Sequence, residues 1–356
     1  MRQRRRSSRA SRRCPTSGAS DGRNVLKDIP ESTVEDVLSS YGLARPWHIN
    51  PVAASTRNDN FLVDDAEGRR FVLRRNRRVA DEARIRFQLQ FQQHLLDSGF
   101  PTSSIVESIS GDSLVTDELG GLWALFTYVE GDEYNFSRME QVKDAARRLA
   151  QLHSVSDSFR GEDVVIAANR WGAAWLADGN AELAALEDMF SERGVQDDLD
   201  FVRQWANGAS PEVLAHKDVI PNGWVHGDYH GRNMVFVNDE IQGVFDFDPV
   251  TRGWRTEDVA YAMFMFGRES RLSRRIRDGV ASAFLVEYRK HHRLSAEELR
   301  MLPITAVAIW VTNASYCHVI ERDGEDPAAY FRRHVSLMRD VGAEFVRLQR
   351  ILDLPE

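Results

Sequence analysis

In "DEARIRFQLQFQQHLLDSGF", Ile85, Leu89 and Leu96 recur at helical spacing and Gly99 stands where a helix would stop, so a long helix is predicted there. A shorter helix is predicted through "STVEDVLSSYGL", where Ser32 and Glu35 have the spacing of a capping box and Gly42 lies near the end. Between these helices, "NFLVDD" and "RRFVLRRN" read as two strands, joined by "AEG" at residues 66–68 as a hairpin turn. A second hairpin is predicted in "SLVTDELGGLWALFTYVEG", whose last strand, "WALFTYV", is almost wholly apolar. After Gly131 the pattern turns helical. "SRMEQVKDAARRLAQLHS", "AELAALEDMFSERG", "SRRIRDGVASAFLVEYRKHH", "MLPITAVAIWVTNASYCHVI" and "DPAAYFRRHVSLMRDVGAEFVRLQRIL" carry it to the end. A strand-rich part with one long helix, followed by a larger helical part, predicts an α+β fold. No internal repeat is visible.

Length and charge narrow the class. At 356 residues the chain can hold two well-formed cores. No apolar run approaches the ~18 residues needed to span a bilayer. Two cysteines, Cys14 and Cys317, make no disulfide framework and no zinc site by themselves, and they predict a reducing, cytoplasmic setting. The net charge of −8 gives no support to nucleic-acid binding by the folded part. The first 20 residues carry seven arginines and no acid, so −8 less those seven leaves −15 on residues 21–356. That tail has the composition of a transit peptide or nucleic-acid-binding arm, but it cannot bury an apolar face, and residues 1–24 are read as a disordered basic tail.

Candidate chemistry is concentrated in "VHGDYHGRN", Val225 to Asn233. One reading makes Asp228 and His230 metal ligands of a metallophosphoesterase, from the G-D-x-H-G pattern. Such sites need further His, Asp and Asn clusters, and no "GNH" or "GHxH" follows. The other reading is phosphoryl transfer. Asp228 and Asn233 have the D-x-x-x-x-N spacing of kinase catalytic loops, in which the Asp takes the proton of the attacking hydroxyl. "MVFV", "NDE" and "IQGVF" then predict an antiparallel hairpin that sets Asn233, entering it, beside Asp246, leaving it. An amide oxygen and a carboxylate so placed suit Mg²⁺, which prefers oxygen ligands and usually takes one or two from protein.

"HGDYHGRN", "VFDFD" and "EDVAYAM" together resemble the aminoglycoside phosphotransferase and choline kinase superfamily, over most of residues 45–340. The resemblance implies a protein-kinase-like two-lobed fold, with residues 25–130 as nucleotide-binding lobe and hinge and residues 131–356 as catalytic and substrate lobe. It implies ATP and Mg²⁺ as cofactors, Asp228 as base, Asn233 and Asp246 as metal ligands, and His226 and Asp258 as supports of the loop. Arg74 would stand where kinases carry a phosphate-binding lysine, turned inward in preference to Arg75. A glutamate usually serves that cation from the long helix, but Gln88 occupies its place, with Glu82 upstream as a substitute. No glycine-rich loop is present, and Ser55 and Thr56 of "ASTRNDNF" would offer hydroxyls to phosphate. Adenine would bond to backbone groups of Thr127 and Val129, with Phe126 behind. His153 is read as a packed structural residue.

The acceptor implied is a hydroxyl of a small molecule, because there is no D-F-G, no A-P-E, and little room after "DFDP" for a peptide-docking segment. "NDNFLV", "ANRWGAAWL", "LPITAVAIWVTNASY" and "EDPAAYF" resemble the type II homoserine kinase branch. The loop departs from that branch's "HADLFRDN", and Ile309 stands before Trp310 where the branch tends to have Arg. A homoserine-like amino alcohol and an aminoglycoside therefore both stay open as acceptors. Tyr229, His230, Arg232, Asp248, Trp310 and Asn313 are the candidate acceptor contacts. The alternatives to a small-molecule kinase are a noncatalytic pseudokinase-like binding protein, the metallophosphoesterase and a protein Ser/Thr kinase. Neither nucleic acid nor membrane is expected as a partner.

Overall fold

The computed structural model describes residues 29–52, 58–77, 81–161 and 172–352. It divides into two units, residues 1–80 with 106–125, and residues 81–105 with 126–356. The N-terminal unit contains α1 (Glu31–Ser39), β1 (His48–Pro51), β2 (Asn58–Asp64), β3 (Arg70–Asn76) and β5 (Val115–Thr116), and shares β4 (Ile105–Val106) and β6 (Leu122–Thr127) with the chain that leaves it. The sheet runs β1-β2-β3-β6-β4, with β5 on the side of β6. Both predicted hairpins are present. Phe61 faces Leu73 and Val63 faces Phe71 across β2 and β3, and all four are buried with Val34, Val37 and Leu38 of α1. Asp65 shapes the turn by accepting from the backbone N–H of Glu67 and Arg69. The expected capping box is absent: α1 starts behind Pro30 with no side-chain cap, which leaves Ser32 inside the first turn.

The C-terminal unit begins with α2 (Glu82–Asp97), whose N-cap Asp81 accepts from Ala83 N and Arg84 N. Phe87, Phe91 and Leu95 of α2 join a core with α3 (Met139–Ser156), α7 (Arg255–Gly267) and α8 (Asp278–His291). A second core gathers α4 (Gly172–Ala177), α5 (Gly179–Phe190), α6 (Gln196–His216), α9 (Ala296–Ala308), α10 (Ala314–Arg322) and α11 (Pro327–Ile351). The segment "MLPITAVAIWVTNASYCHVI" divides between α9 and α10, because Asn313 caps α10 by accepting from Tyr316 N at 2.7 Å. Two short sheets hold the loop of interest: β7 (Asn222–Val225) pairs antiparallel with β10 (Thr251–Trp254), and β8 (Met234–Val237) with β9 (Glu240–Val244). Asn238 and Asp239 turn the second hairpin with φ of 51° and 73°, as a two-residue turn with both central residues left-handed requires. Among the described residues no helix is long and apolar enough to cross a membrane.

Candidate active site

The loop from His226 to Asn233 joins β7 to β8 and is held from beneath by one carboxylate. Asp258, 1% exposed near the start of α7, accepts from His226 N at 2.6 Å and from Gly227 N at 2.9 Å. Its Oδ2 also accepts from His153 Nε2 at 3.1 Å, and His153 Nδ1 lies 2.7 Å from the Tyr288 hydroxyl. His153 is thus a buried structural residue, and it supports the loop through Asp258. Gly227 has φ of +77°, and a Cβ there would come within 3.0 Å of Pro249, so this position accepts only glycine comfortably. His226 is buried; its Nδ1 accepts from Asp228 N, so its Nε2 carries the proton and donates to Phe245 O at 3.1 Å.

On that base Asp228 is half-buried and held at both oxygens. Tyr261 OH donates to Oδ1 at 2.6 Å, and Asn233 Nδ2 donates to Oδ2 at 3.2 Å and to the Asp228 carbonyl at 3.0 Å. His230 Nε2 lies 3.4 Å from Oδ1, while its Nδ1 accepts from Arg232 N; burial holds the imidazole below its ordinary pKa, hence neutral near pH 7. Asn233 spends its amide N–H groups on Asp228, and its Oδ1 has no partner among the described residues. Phe245, not Asp246, is the direct partner of Asn233, through Phe245 N to Asn233 O at 2.9 Å. The irregularity between Val235 and Phe236 shifts the pairing one residue towards Asp246; the register of Phe236 with Ile241, continued unbroken, would set Asn233 opposite Val244. Asp246 follows with φ of +67°, an uncommon conformation for a non-glycine residue. Asn233 and Asp246 therefore remain neighbours at the mouth of the hairpin.

Other candidates fare differently. Tyr229 is a correction: it is fully buried and donates its hydroxyl to Ala145 O at 2.8 Å, so it anchors the loop in the core and cannot contact an acceptor. Asn313 is 2% exposed and spends its side-chain oxygen on the cap of α10. Arg232 projects from the surface. Trp310 is half-buried against Tyr261 and Phe264, with ring centroids 5.4 Å from each. Asp248 offers its carbonyl to Gln88 Nε2 at 3.0 Å and to Arg84 Nη2 at 2.9 Å, so Gln88 organises the segment after the hairpin. Glu82 pairs with Arg86 at 2.7 Å.

In the N-terminal unit Arg75 shares a face with the buried Phe71 and Leu73 and approaches Asp117 to 3.8 Å. Arg74 is on the opposite face, away from that unit's core, with its Nε 3.4 Å from Asn60 Oδ1. Ser55 and Thr56 lie outside the described residues. Phe126 is buried, and Thr127 N–H is committed to Ser104 O at 2.9 Å. Val129, by contrast, has no backbone partner among the described residues. Just beyond it Asp132 pairs with Phe236 through two bonds of 2.8 and 2.9 Å, across Gly131, where a Cβ would meet Val235 at 2.8 Å.

Sequence reading missed Tyr261, although it lies one helical turn after Asp258 in "EDVAYAM" and so on the same face of α7. It also missed Arg84, whose only signal is an arginine in the first turn of a helix otherwise turned to the core. Among the described residues no group of three or more His, Cys, Asp or Glu could hold a metal ion, which removes the dinuclear metallophosphoesterase arrangement from them.

The sequence model of the phosphotransferase enzyme family matches residues 48–297. The chain belongs to that family. It is an enzyme of the small-molecule kinase class, with the protein-kinase-like fold expected from the sequence. A homoserine kinase of Sinorhizobium medicae is 24% identical over 327 residues, covering 88% of this chain and 95% of the relative. Among solved structures, an aminoglycoside phosphotransferase of Alicyclobacillus acidocaldarius superposes with a TM-score of 0.60 at 17% identity, covering 91% of this chain and 96% of that one. A microcompartment-associated aminopropanol kinase gives a TM-score of 0.61 at 18% identity, covering 91% and 99%.

Proposed function

We propose that this phosphotransferase moves the γ-phosphoryl group of ATP, with Mg²⁺, to the hydroxyl of a small acceptor, either a homoserine-like amino alcohol or an aminoglycoside-type alcohol, in the cytoplasm. The observation that carries the reading is Asp228, a carboxylate fixed at both oxygens by Tyr261 and Asn233 on a loop tied down by Asp258. A base held in this way is ready to orient an alcohol and accept its proton without a further conformational search.

The residues present fit the cofactors. Asn233 presents an unpartnered amide oxygen next to Asp246, the oxygen pair a hard cation takes. When bound, Mg²⁺ would offset the charge that develops on the transferred phosphoryl group. Asn233 would do two jobs: its N–H groups orient Asp228, and its Oδ1, without a partner among the described residues, would take the metal. Val129 supplies a free backbone donor and acceptor for adenine, beside the bonded Thr127. Arg74 and Ser55 would serve the phosphates, Arg74 as a bidentate fork. His230, Asp248 and Trp310 remain acceptor contacts in this reading, and neither nucleic acid nor membrane is a partner.

Titration calorimetry with ATP, with and without Mg²⁺, tests the cofactor half. Asp246→Ala should weaken Mg·ATP binding, while Asp228→Ala should leave it unchanged and abolish ADP release in the presence of acceptor. Unchanged turnover in Asp228→Ala would remove the base from the proposal.

A further inference from the structure

Helix α2 grips the backbone that follows the catalytic hairpin. Arg84 and Gln88 are four residues apart, hence on one face of α2, and they are only 3% and 6% exposed, which is deep for an arginine and a glutamine. Arg84 lays its guanidinium over the Phe87 ring, 5.1 Å from the centroid, and its Nη2 donates to Asp248 O at 2.9 Å and to Val250 O. Gln88 Nε2 donates to the same Asp248 carbonyl at 3.0 Å. Those carbonyls belong to a tight turn, closed by Val250 N donating to Phe247 O at 3.1 Å. Phe91, three residues beyond Gln88, packs on Phe247 with ring centroids 6.0 Å apart. All of these residues lie in the C-terminal unit.

Asp246 stands immediately before that turn. On its N-terminal side, Phe245 N donates to Asn233 O at 2.9 Å and Phe245 O accepts from His226 Nε2 at 3.1 Å, so the preceding residue is fixed at both backbone groups. On its C-terminal side, Phe247 is buried between Phe91 and His226. Between the two, Asp246 has φ of +67°. An aspartate relaxes out of this left-handed region unless the chain on both sides over-determines it. The hairpin supplies the restraint on the near side. On the far side α2 supplies it, with three side-chain hydrogen bonds to two carbonyls. Gln88 stands where the related kinases carry a glutamate to serve a cation. Here the position needs a donor, because what it meets is a carbonyl oxygen.

We propose that Arg84 and Gln88 are positioning residues for the metal: they clamp the Phe247–Val250 turn so that Asp246 keeps the backbone conformation in which it takes Mg²⁺. Neither residue touches the ion; each acts through the Asp248 and Val250 carbonyls. A charged donor suits this task, because its bonds to the two carbonyls are stronger than those of a neutral amide and are shielded from water by burial. This inference rests on the phosphotransferase reading above, in which Asp246 is a metal ligand, and adds how the chain holds that ligand ready.

The test uses the whole chain and calorimetry with a nonhydrolysable ATP analogue, with and without Mg²⁺, so that binding is read apart from turnover. Arg84→Met should weaken Mg²⁺-dependent binding of the analogue by about 10- to 100-fold, the worth of hydrogen bonds from a charged donor, and leave its metal-free affinity unchanged. Gln88→Glu should weaken it by about 10-fold, although it restores the residue that related kinases carry, because it sets a carboxylate oxygen against the Asp248 carbonyl. Arg84→Lys, which keeps the charge, should recover part of the loss. In turnover assays the Mg²⁺ concentration for half-maximal rate should rise by the same factors, with kcat at saturating Mg²⁺ little changed. A merely structural role would lower kcat or the melting temperature and leave the Mg²⁺ requirement where it was. Thermal melts identify a variant that does not fold, and if Arg84→Met is one, Gln88→Glu decides. Wild-type Mg²⁺ affinity in Gln88→Glu, or in a folded Arg84→Met protein, would overturn the clamp. Wild-type protein that binds the analogue no better with Mg²⁺ than without would instead sink the metal assignment of the kinase reading.

Discussion

Replacing Asp258 by Asn should loosen the catalytic loop without changing side-chain volume. Both carboxylate oxygens are in use, Oδ2 by His226 N at 2.6 Å and His153 Nε2 at 3.1 Å, and Oδ1 by Gly227 N at 2.9 Å. An amide has only one acceptor oxygen. In its better orientation that oxygen keeps His226 and His153, and the NH₂ group faces the Gly227 N–H, donor against donor. Leaving one buried donor unpaired costs about 1–3 kcal/mol, and the two retained bonds lose their charge-assisted strength, about 1 kcal/mol each. The total is ~3–5 kcal/mol against a typical stability of ~5–15 kcal/mol. Urea unfolding followed by tryptophan fluorescence should show a midpoint lower by ~1 M or more, for an m-value near the upper end of the ~1–3 kcal/mol/M range. Because the lost bond is made by the residue before Asp228, kcat should fall as well, by ~10²-fold for a displacement of order 1 Å. A variant with the wild-type midpoint and kcat within a factor of two would refute the view that Asp258 supports this loop.

Three further outcomes follow from the same geometry. Gly231→Ala should reduce both stability and kcat, by ~1–3 kcal/mol of overpacking in melts, since its Cβ would lie 2.5 Å from Tyr134 Cβ. Tyr261→Phe should lower kcat while leaving Mg·ATP affinity intact, because it removes a donor from Asp228 and nothing from Asn233 or Asp246. Glu257 is buried beside Ala173 N, and desolvation pushes its carboxyl up to about 8. Its folded pKa lies above its unfolded one, so its protonated form stabilises the native state at low pH, and that contribution is lost as pH rises from about 4.5 to about 8. Glu257→Gln should flatten the stability profile across that window; an unchanged slope in denaturation curves would refute the assignment.

What could be read in the chain divides along a physical line. The hairpins, α2 and α3 were legible because alternation and helical spacing are local, and because Gly68 and Gly99, with φ of +76°, mark their turns. The approach of Asn233 to the far end of its hairpin was legible for the same reason: a tight turn brings residues about thirteen apart close together whatever surrounds it, and the bulge after Val235 moves the register one residue further towards Asp246. The first helix was misread at its cap because Ser32 and Glu35 satisfy the spacing, yet Pro30, with its φ fixed near −59°, starts the helix two residues earlier. The strands β7 and β10 are only four residues each and pair across the whole loop, so nothing local announces them.

Asp258 and His226 came from the family resemblance, but the remaining supports of Asp228 and the partners of all of them were hidden for a different reason. Each is a polar group whose partner is distant in sequence: His153 and Asp258 are 105 residues apart, Arg84 and Asp248 164, Tyr229 and Ala145 84. A sequence displays the reactive residue of such a site because its neighbours fix the spacing, as in "HGDYHGRN", but the residues that hold it are specified only by burial. Tyr229 shows how this misleads, since a tyrosine next to the base reads as an acceptor contact until its hydroxyl is found in the core against a helix carbonyl. Arg268 shows the converse. Within "GRESRLSRRIRDG" it is one of five arginines and looks like a solvated face. In the fold it is set apart by what it lacks, as a half-buried guanidinium with an orphaned Nε, while Arg274 in the same loop bonds Ser336 at 2.6 Å and pairs with Asp340. Beside the loop that Asp258 tethers, Asn233 Oδ1 and the Val129 backbone have no partner among the described residues, and these are the groups the proposed reading assigns to metal and adenine.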